Sequence, residues 1–168
     1  MSGNNTHRLD GVGVWGGGVT GGLIAGIAMG LVLHLGGLAT DPGTAVGVGW
    51  TIHLMLSIAF GLLFAAISSR EAVQQQVDDF SDYVIMGLAF GSVLGLFAGG
   101  VLFPLAMERA DVAALPVPFL PISGTTGELV SALVFGLGHL VYGLVLGAVF
   151  ATVNGITPRG VRDFAAIR

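Results

Sequence analysis

The chain has 168 residues, of which 10% are charged and 54% hydrophobic, and its mean hydropathy is +0.89. A soluble domain is about 25% charged, so this composition excludes a soluble enzyme, a nucleic-acid-binding protein and a disordered tail. The six basic and ten acidic residues leave four uncharged windows, at 11–40, 42–69, 83–107 and 129–158. Each window is longer than the roughly 20 apolar residues with which a helix crosses a bilayer. The sequence therefore predicts an all-α integral membrane protein, a bundle of four transmembrane helices.

Turn residues and charges set the predicted boundaries in chain order. A first helical hairpin occupies 14–69, and a polar loop at 70–81, which could begin with an exposed helical turn, leads to a second hairpin at 82–153. Proline and glycine between the windows mark the turns. The predicted segments are a tail at 1–13, helices at about 14–39, 45–69, 82–107 and 126–153, an outer loop at 108–125 and a tail at 154–168.

The basic residues indicate an orientation. All six are Arg, and five of them lie in the two tails and the 70–81 loop, against one in the outer loop. Basic residues concentrate on the cytoplasmic side of a membrane. We therefore expect a multi-pass protein of the cell membrane with both termini in the cytoplasm. The absence of Lys, with a net charge of −4, is typical of a halophilic or GC-rich source.

Glycine recurs every four residues in the first and third helices, and small residues continue the pattern in the other two. Transmembrane helices associate where small residues let their backbones approach closely. The stripes therefore predict helix-packing positions at Gly18, Gly22, Gly26, Gly30, Ser57, Gly61, Gly87, Gly91, Gly95, Gly99, Gly143 and Gly147.

The two halves of the chain resemble each other. Residues 53–67 align with 139–153 at an offset of 86, and share His, Leu, Gly, Phe and Ala. The glycines of the first helix align with those of the third at an offset of 69. This pattern predicts two tandem helical hairpins in the same orientation, because a unit of two spans returns to its starting side.

Three histidines, His34, His53 and His139, fall inside predicted spans. Ionisable residues are rare within membranes and are candidates for function by default. Counting from the turn at Pro42, we expect His34 and His53 at equal depths of about 12 to 15 Å, at a rise of 1.5 Å per residue. His139 is the repeat partner of His53. The three imidazoles are therefore predicted to converge inside the bundle.

Several chemistries fit such a cluster. Two His could ligate a haem iron, and three could bind Cu or Zn, with Met29, Met55 or Met107 as soft neighbours for Cu(I). A proton relay is another interpretation. The competing interpretation needs no cofactor, since each His could hydrogen-bond across a helix interface. The chain has no Cys, so thiolate ligands and disulfides are excluded.

The charged N-terminal tail, the opening VTGGLIAGIAMGL and the four Gly-rich spans resemble a family of uncharacterised small four-span membrane proteins of halophilic archaea. Members of that family sometimes carry an automatic histidine kinase label. The resemblance implies a membrane setting. It does not imply kinase activity here, because the chain has no nucleotide-binding motif.

These observations favour a membrane protein without catalytic activity. We expect an accessory or assembly component of a membrane complex, such as a respiratory one, whose partners are the lipid bilayer and other subunits and not nucleic acid. The alternatives are a small haem- or copper-binding protein that uses the intramembrane His, and a transporter or channel that acts as a homo-oligomer. Intramembrane Asp, Glu and Arg are missing from the spans, which disfavours transport.

Overall fold

The computed structural model describes residues 11–36, 44–102 and 125–158, together with the single positions Leu105 and Arg109. These ranges contain helices and no strand. The helices are α1 at Gly11–Leu35, α2 at Thr44–Ser68, α3 at Glu71–Gln74, α4 at Phe80–Phe97 and α5 at Thr125–Val153, with a π-helical turn at Ala98–Leu102 that continues α4.

Four of these helices are long and apolar enough to cross a membrane. The apolar segments are Gly13–Leu35, Gly49–Ser68, Phe80–Leu102 and Leu129–Val153. Each holds 20 to 25 residues, the length that spans a bilayer core. The predicted fold class is thereby confirmed: the chain is an all-α, multi-pass membrane protein.

The helix ends differ in detail from the predicted boundaries. α2 and α5 each begin one residue before the predicted start, whereas α1 ends at Leu35 and not near position 39. Residues 37–43 and most of the outer loop at 108–125 lie outside the described residues. The third span does not continue as a regular helix to 107, because it changes to a π-helical turn at Ala98–Leu102. Tandem glycines at Gly99 and Gly100 supply the backbone freedom that such a turn uses.

The loop that follows α2 is short, and it caps the start of α4. Its first residues form the exposed helical turn α3, as the polar sequence suggested. Asp79 and Asp82 then form a capping box at the start of α4, in which the backbone N–H of Asp79 donates to the Asp82 carboxylate at 3.0 Å. Carboxylates at a helix N-terminus satisfy free N–H groups and suit the helix dipole. The charges of this loop therefore fix the point at which α4 begins.

A Schellman motif ends α5. Gly155 has a φ of 77°, and the N–H of Ile156 donates to the carbonyl of Ala151 at 2.9 Å. The N–H of Gly155 donates to the backbone carbonyl of Thr152 at 3.0 Å, which completes the pair of bonds that defines this motif. The buried side chain of Ile156 then turns back against the bundle.

The bundle is built as two antiparallel hairpins that meet through one helix from each. α1 packs against α2, α4 packs against α5, and α1 also packs against α5 along its length. α2 and α4 hardly meet, so the bundle is less closed on that side. α1 and α5 each contact two long neighbours, and they are the two most buried of the four spans.

A second glycine stripe on α1 makes the contact with α5. A Cβ on Gly17 would lie 3.1 Å from the Phe150 ring, and one on Gly21 would lie 3.0 Å from the Leu146 side chain. Gly13 meets Asn154 in the same way, one turn further on. α1 therefore carries two glycine faces, of which the four-residue pattern that begins at Gly18 is only one.

Aromatic rings fill the half of the bundle that carries α3, which we call the α3 end. The Phe64 ring lies 5.5 Å from that of Phe90 and 5.3 Å from that of Phe150, both edge to face. Tyr83 lies 5.6 Å from Phe150. These contacts join α2, α4 and α5, and they are the main bridge between α2 and α4.

Candidate functional site

Close glycine contacts set the register between α1 and α2. A Cβ on Gly22 would lie 2.6 Å from the carbonyl oxygen of Ser57, and one on Gly26 would lie 2.6 Å from the Ser57 side chain. Gly61 meets the carbonyl of Gly18. No side chain larger than hydrogen fits at these glycines unless the helices separate. The backbones of α1 and α2 therefore touch, and His53 is carried to the level of Gly26.

His53 makes a hydrogen bond across this interface. Its Nε2 lies 2.9 Å from the carbonyl oxygen of Gly26, and its ring meets the Trp50 ring edge to face at 5.9 Å. A carbonyl oxygen only accepts, so Nε2 carries the proton and donates it. In the neutral ring, Nδ1 then holds a lone pair.

Tyr142 joins α5 to α2. Its hydroxyl donates to the carbonyl oxygen of Ser57 at 2.6 Å, although its side chain is almost fully buried. The Ser57 hydroxyl in turn donates to the carbonyl of His53 at 2.8 Å. A polar cluster of His53, Ser57 and Tyr142 therefore connects three helices in the middle of an apolar bundle.

His139 is the most buried of the three intramembrane histidines, at 4% exposed. Its Nδ1 donates to the carbonyl of Phe135 one turn earlier, at 2.9 Å, and its ring lies 4.4 Å from the Phe135 ring. Its Cβ is held against α4, because a Cβ on Gly95 would come within 2.9 Å of it. By the same reasoning as for His53, the lone pair of His139 lies on Nε2.

His53 and His139 occupy one level of the bundle, whereas His34 does not. His53 bonds to Gly26 of α1, and Gly138, the neighbour of His139, lies beside Met29, which is one turn from Gly26. His34 lies in the last turn of α1 and is exposed. It is eight residues beyond Gly26, the partner of His53, which is about 12 Å along the helix. The predicted equal depth of His34 and His53 is wrong, because the hairpin pairs Gly26 and not His34 with His53.

The three imidazoles therefore do not form one centre. In the described part of the chain, no group of three His, Cys, Asp or Glu side chains is placed to hold a metal ion. A haem between His53 and His139 also conflicts with the packing, since a macrocycle beside these residues would have to separate the close contacts at Gly26 and Gly95. What remains is a pair of imidazoles with tautomers fixed by backbone carbonyls.

The structure separates the three methionines that the sequence offered as soft neighbours. Met29 is 7% exposed and lies beside Gly138, whose Cβ would be 3.4 Å from the Met29 γ carbon. Met55 is 67% exposed and points away from the bundle. Met107 lies outside the described residues. Met29 is thus the methionine next to His139 along the α1–α5 interface.

Sequence reasoning missed Tyr142. It occupies the position that Leu56 holds in the first hairpin, so the repeat gives it no partner. The available signal is its type, because a tyrosine deep in a span needs a hydrogen-bond partner for its hydroxyl. Its spacing of three residues from His139 would then have placed both side chains on one helix face.

No protein family, no curated protein and no solved structure matches this chain.

Proposed function

We propose that this protein is an accessory or assembly component of a membrane complex and binds another membrane protein through its helices. The observation that carries the proposal is a set of glycines inside the helices that touch nothing in the described chain. A Cβ added to any of them would meet no atom within 4 Å, unlike the glycines between α1 and α2. They are Gly16, Gly47, Gly49, Gly100 and Gly136.

An unused glycine in a helix is unfavourable. It costs about 1 kcal/mol relative to alanine, because it loses more backbone entropy on folding. Lipid tails gain nothing from a missing side chain, whereas a partner helix gains a close backbone approach. Of these five glycines, Gly16 lies near the start of α1 at the α3 end, whereas the other four lie in the half of the bundle opposite the α3 end. A contact with a partner helix there would offset their cost.

The exposure of α4 supports the same site. Only 17% of its membrane segment is buried within the chain, compared with 39% for α1. Among the described helices, α4 packs on α5 and hardly touches α2, so most of its surface has no partner helix within the described residues. Gly100 lies in the π-helical turn that continues α4, and π-helical turns are frequent at functional sites.

The polar interior supports a role without catalysis. His53, His139, Ser57 and Tyr142 each hydrogen-bond to a backbone carbonyl, which is a structural use of polar groups in a membrane. We propose that the protein lies in the cell membrane with both termini in the cytoplasm, on the basis of its Arg distribution.

Cysteine cross-linking tests the proposal directly, because the natural chain has no Cys. We expect Gly49→Cys and Gly100→Cys, in the native membrane, to cross-link to a polypeptide of different mass. Met55→Cys is the matched control, since Met55 lies on the same helix as Gly49 and is 67% exposed. It should not cross-link. A product of exactly two chains would contradict the accessory role and favour a homo-oligomeric transporter or channel.

A further inference from the structure

We propose that His53, His139 and Met29 form a binding site for Cu(I) where α1, α2 and α5 meet. The site needs no accessory partner, so it does not rest on the function proposed above. Three observations carry it: the shared level of the two imidazoles, their fixed tautomers and the position of one buried thioether.

The shared level of the two imidazoles along the bundle follows from the hydrogen bond between Tyr142 and Ser57. α2 and α5 both run antiparallel to α1, so they run parallel to each other, and this bond aligns them. His139 precedes Tyr142 by three residues and His53 precedes Ser57 by four, which displaces them by about 4.5 and 6 Å in the same direction. The two imidazoles therefore lie at a similar level along the bundle, and the position of Met29 beside Gly138, one turn from the Gly26 carbonyl that His53 binds, agrees with that placement.

The tautomers leave one lone pair on each ring. His53 donates Nε2–H to Gly26, and His139 donates Nδ1–H to Phe135. Metal-ligating histidines almost always use one ring nitrogen to donate to a carbonyl or carboxylate and the other to bind the metal. Nδ1 of His53 and Nε2 of His139 are the nitrogens that this pattern assigns to a metal.

Met29 supplies the third donor. It lies one turn from Gly26 on α1, is buried, and contacts Gly138, the residue before His139. It therefore lies within one helical turn of the carbonyl that His53 binds and beside the chain neighbour of His139. Thioether sulfur is a soft ligand and binds Cu(I) in preference to hard cations.

The charge of the surroundings selects a monovalent ion. α1, α2 and positions 129–153 of α5 contain no Asp, Glu, Lys or Arg. Three neutral donors leave the full charge of the metal uncompensated, and an uncompensated charge in an apolar interior is costly. The electrostatic cost rises with the square of the charge in the Born picture, so Cu(I) fits this site better than Cu(II) or Zn(II).

The test is anaerobic titration of the purified protein with Cu(I) against a chromogenic Cu(I) chelator. We expect one Cu(I) per chain. His53→Ala and His139→Ala should each weaken the affinity at least about 100-fold, and Met29→Leu about tenfold. His34→Ala is the matched control, because it removes an intramembrane His outside the site, and it should leave the affinity unchanged.

X-ray absorption of the Cu(I)-loaded wild-type protein gives a second measurement that needs no variant. Two nitrogen scatterers and one sulfur scatterer would support the site. Failure of the wild-type protein to bind Cu(I), a shell without sulfur, or full binding by the His53→Ala/His139→Ala double variant would overturn it. Cross-linking at Gly49 and Gly100 is independent of copper, so the failure of one proposal is distinguishable from that of the other.

Discussion

The two hairpins use the same kind of glycine contact in different registers. In the first, Gly22 faces the carbonyl of Ser57 and the α carbon of Gly61. In the second, Gly87 faces the carbonyl of Gly143 and the α carbon of Gly147. The sequence alignment pairs Gly22 with Gly91, so α4 is displaced by four residues relative to α5, or about 6 Å.

The identity of one residue accounts for this difference. In the first hairpin, the Ser57 side chain lies over Gly26 and stops the backbones from closing further. Its counterpart Gly143 has no side chain, so Gly91 continues the contact for another turn and meets the carbonyl of His139. The same displacement explains the histidines. His53 reaches across to α1, whereas His139 is held by its backbone against α4 and bonds within its own helix.

Exchanging these two residues should have the largest effect. Gly143→Ser places a Cβ against the Gly87 carbonyl and 3.0 Å from the Gly91 α carbon, and should lower the stability of the bundle by about 3 kcal/mol, the upper end for overpacking. Ser57→Gly removes a bond within its own helix and a small side chain that lies over Gly26, and it adds a flexible residue, so it should cost about 1 kcal/mol. Unfolding in detergent measures both. Equal costs would contradict the proposed origin of the register difference.

Tyr142→Phe should have an intermediate effect. The hydroxyl joins α5 to α2, and side-chain hydrogen bonds between membrane helices contribute about 0.6 kcal/mol on average and up to about 1.7 kcal/mol. We expect a loss near 1 kcal/mol in the same unfolding assay, because the phenyl ring keeps its apolar contacts. Leu56→Phe, at the equivalent and exposed position of α2, is the control and should be neutral.

Substitution of the two histidines by Leu should lower the stability of the bundle by smaller and unequal amounts. His53→Leu removes a bond between helices and should cost about 0.6 kcal/mol, whereas His139→Leu removes a bond within one helix and should cost less. The comparison is made on metal-free protein, so that it reports packing alone. A larger loss for His139→Leu would show that the two histidines do not differ as their bonds indicate.

Much of this fold could be predicted from the sequence. The uncharged windows indicated four spans, because charge is excluded from a bilayer core over a length that helices must match. The four-residue glycine stripes named the positions at which α1 meets α2 and α4 meets α5, since only small residues allow that approach.

The register and the site could not be predicted in the same way. An offset between aligned glycines does not reveal which carbonyl each one faces. The register difference between the two hairpins depends on the presence of Ser at position 57 and Gly at the equivalent position 143. The predicted depth of His34 was wrong because it was counted from Pro42. The contact of Gly26 with Ser57 fixes which residues of α1 and α2 lie side by side. Tyr142 has no counterpart in the repeat, so periodicity could not assign its bond.

The central claim concerns two sets of glycines. Those in close contact with a neighbouring helix, such as Gly22 and Gly91, hold the bundle together, and those with no neighbour within 4 Å, such as Gly49 and Gly100, bind a partner. Its most direct test is the double variant Gly49→Leu/Gly100→Leu, analysed by native gel electrophoresis of membranes and by unfolding of the purified protein. We predict that the variant no longer associates with the large assembly that the wild-type chain forms. Its free energy of unfolding should stay within about 0.5 kcal/mol of the wild-type value, as expected for substitutions in open space. A variant that stays in the same assembly, or a wild-type chain that migrates alone, would contradict the claim.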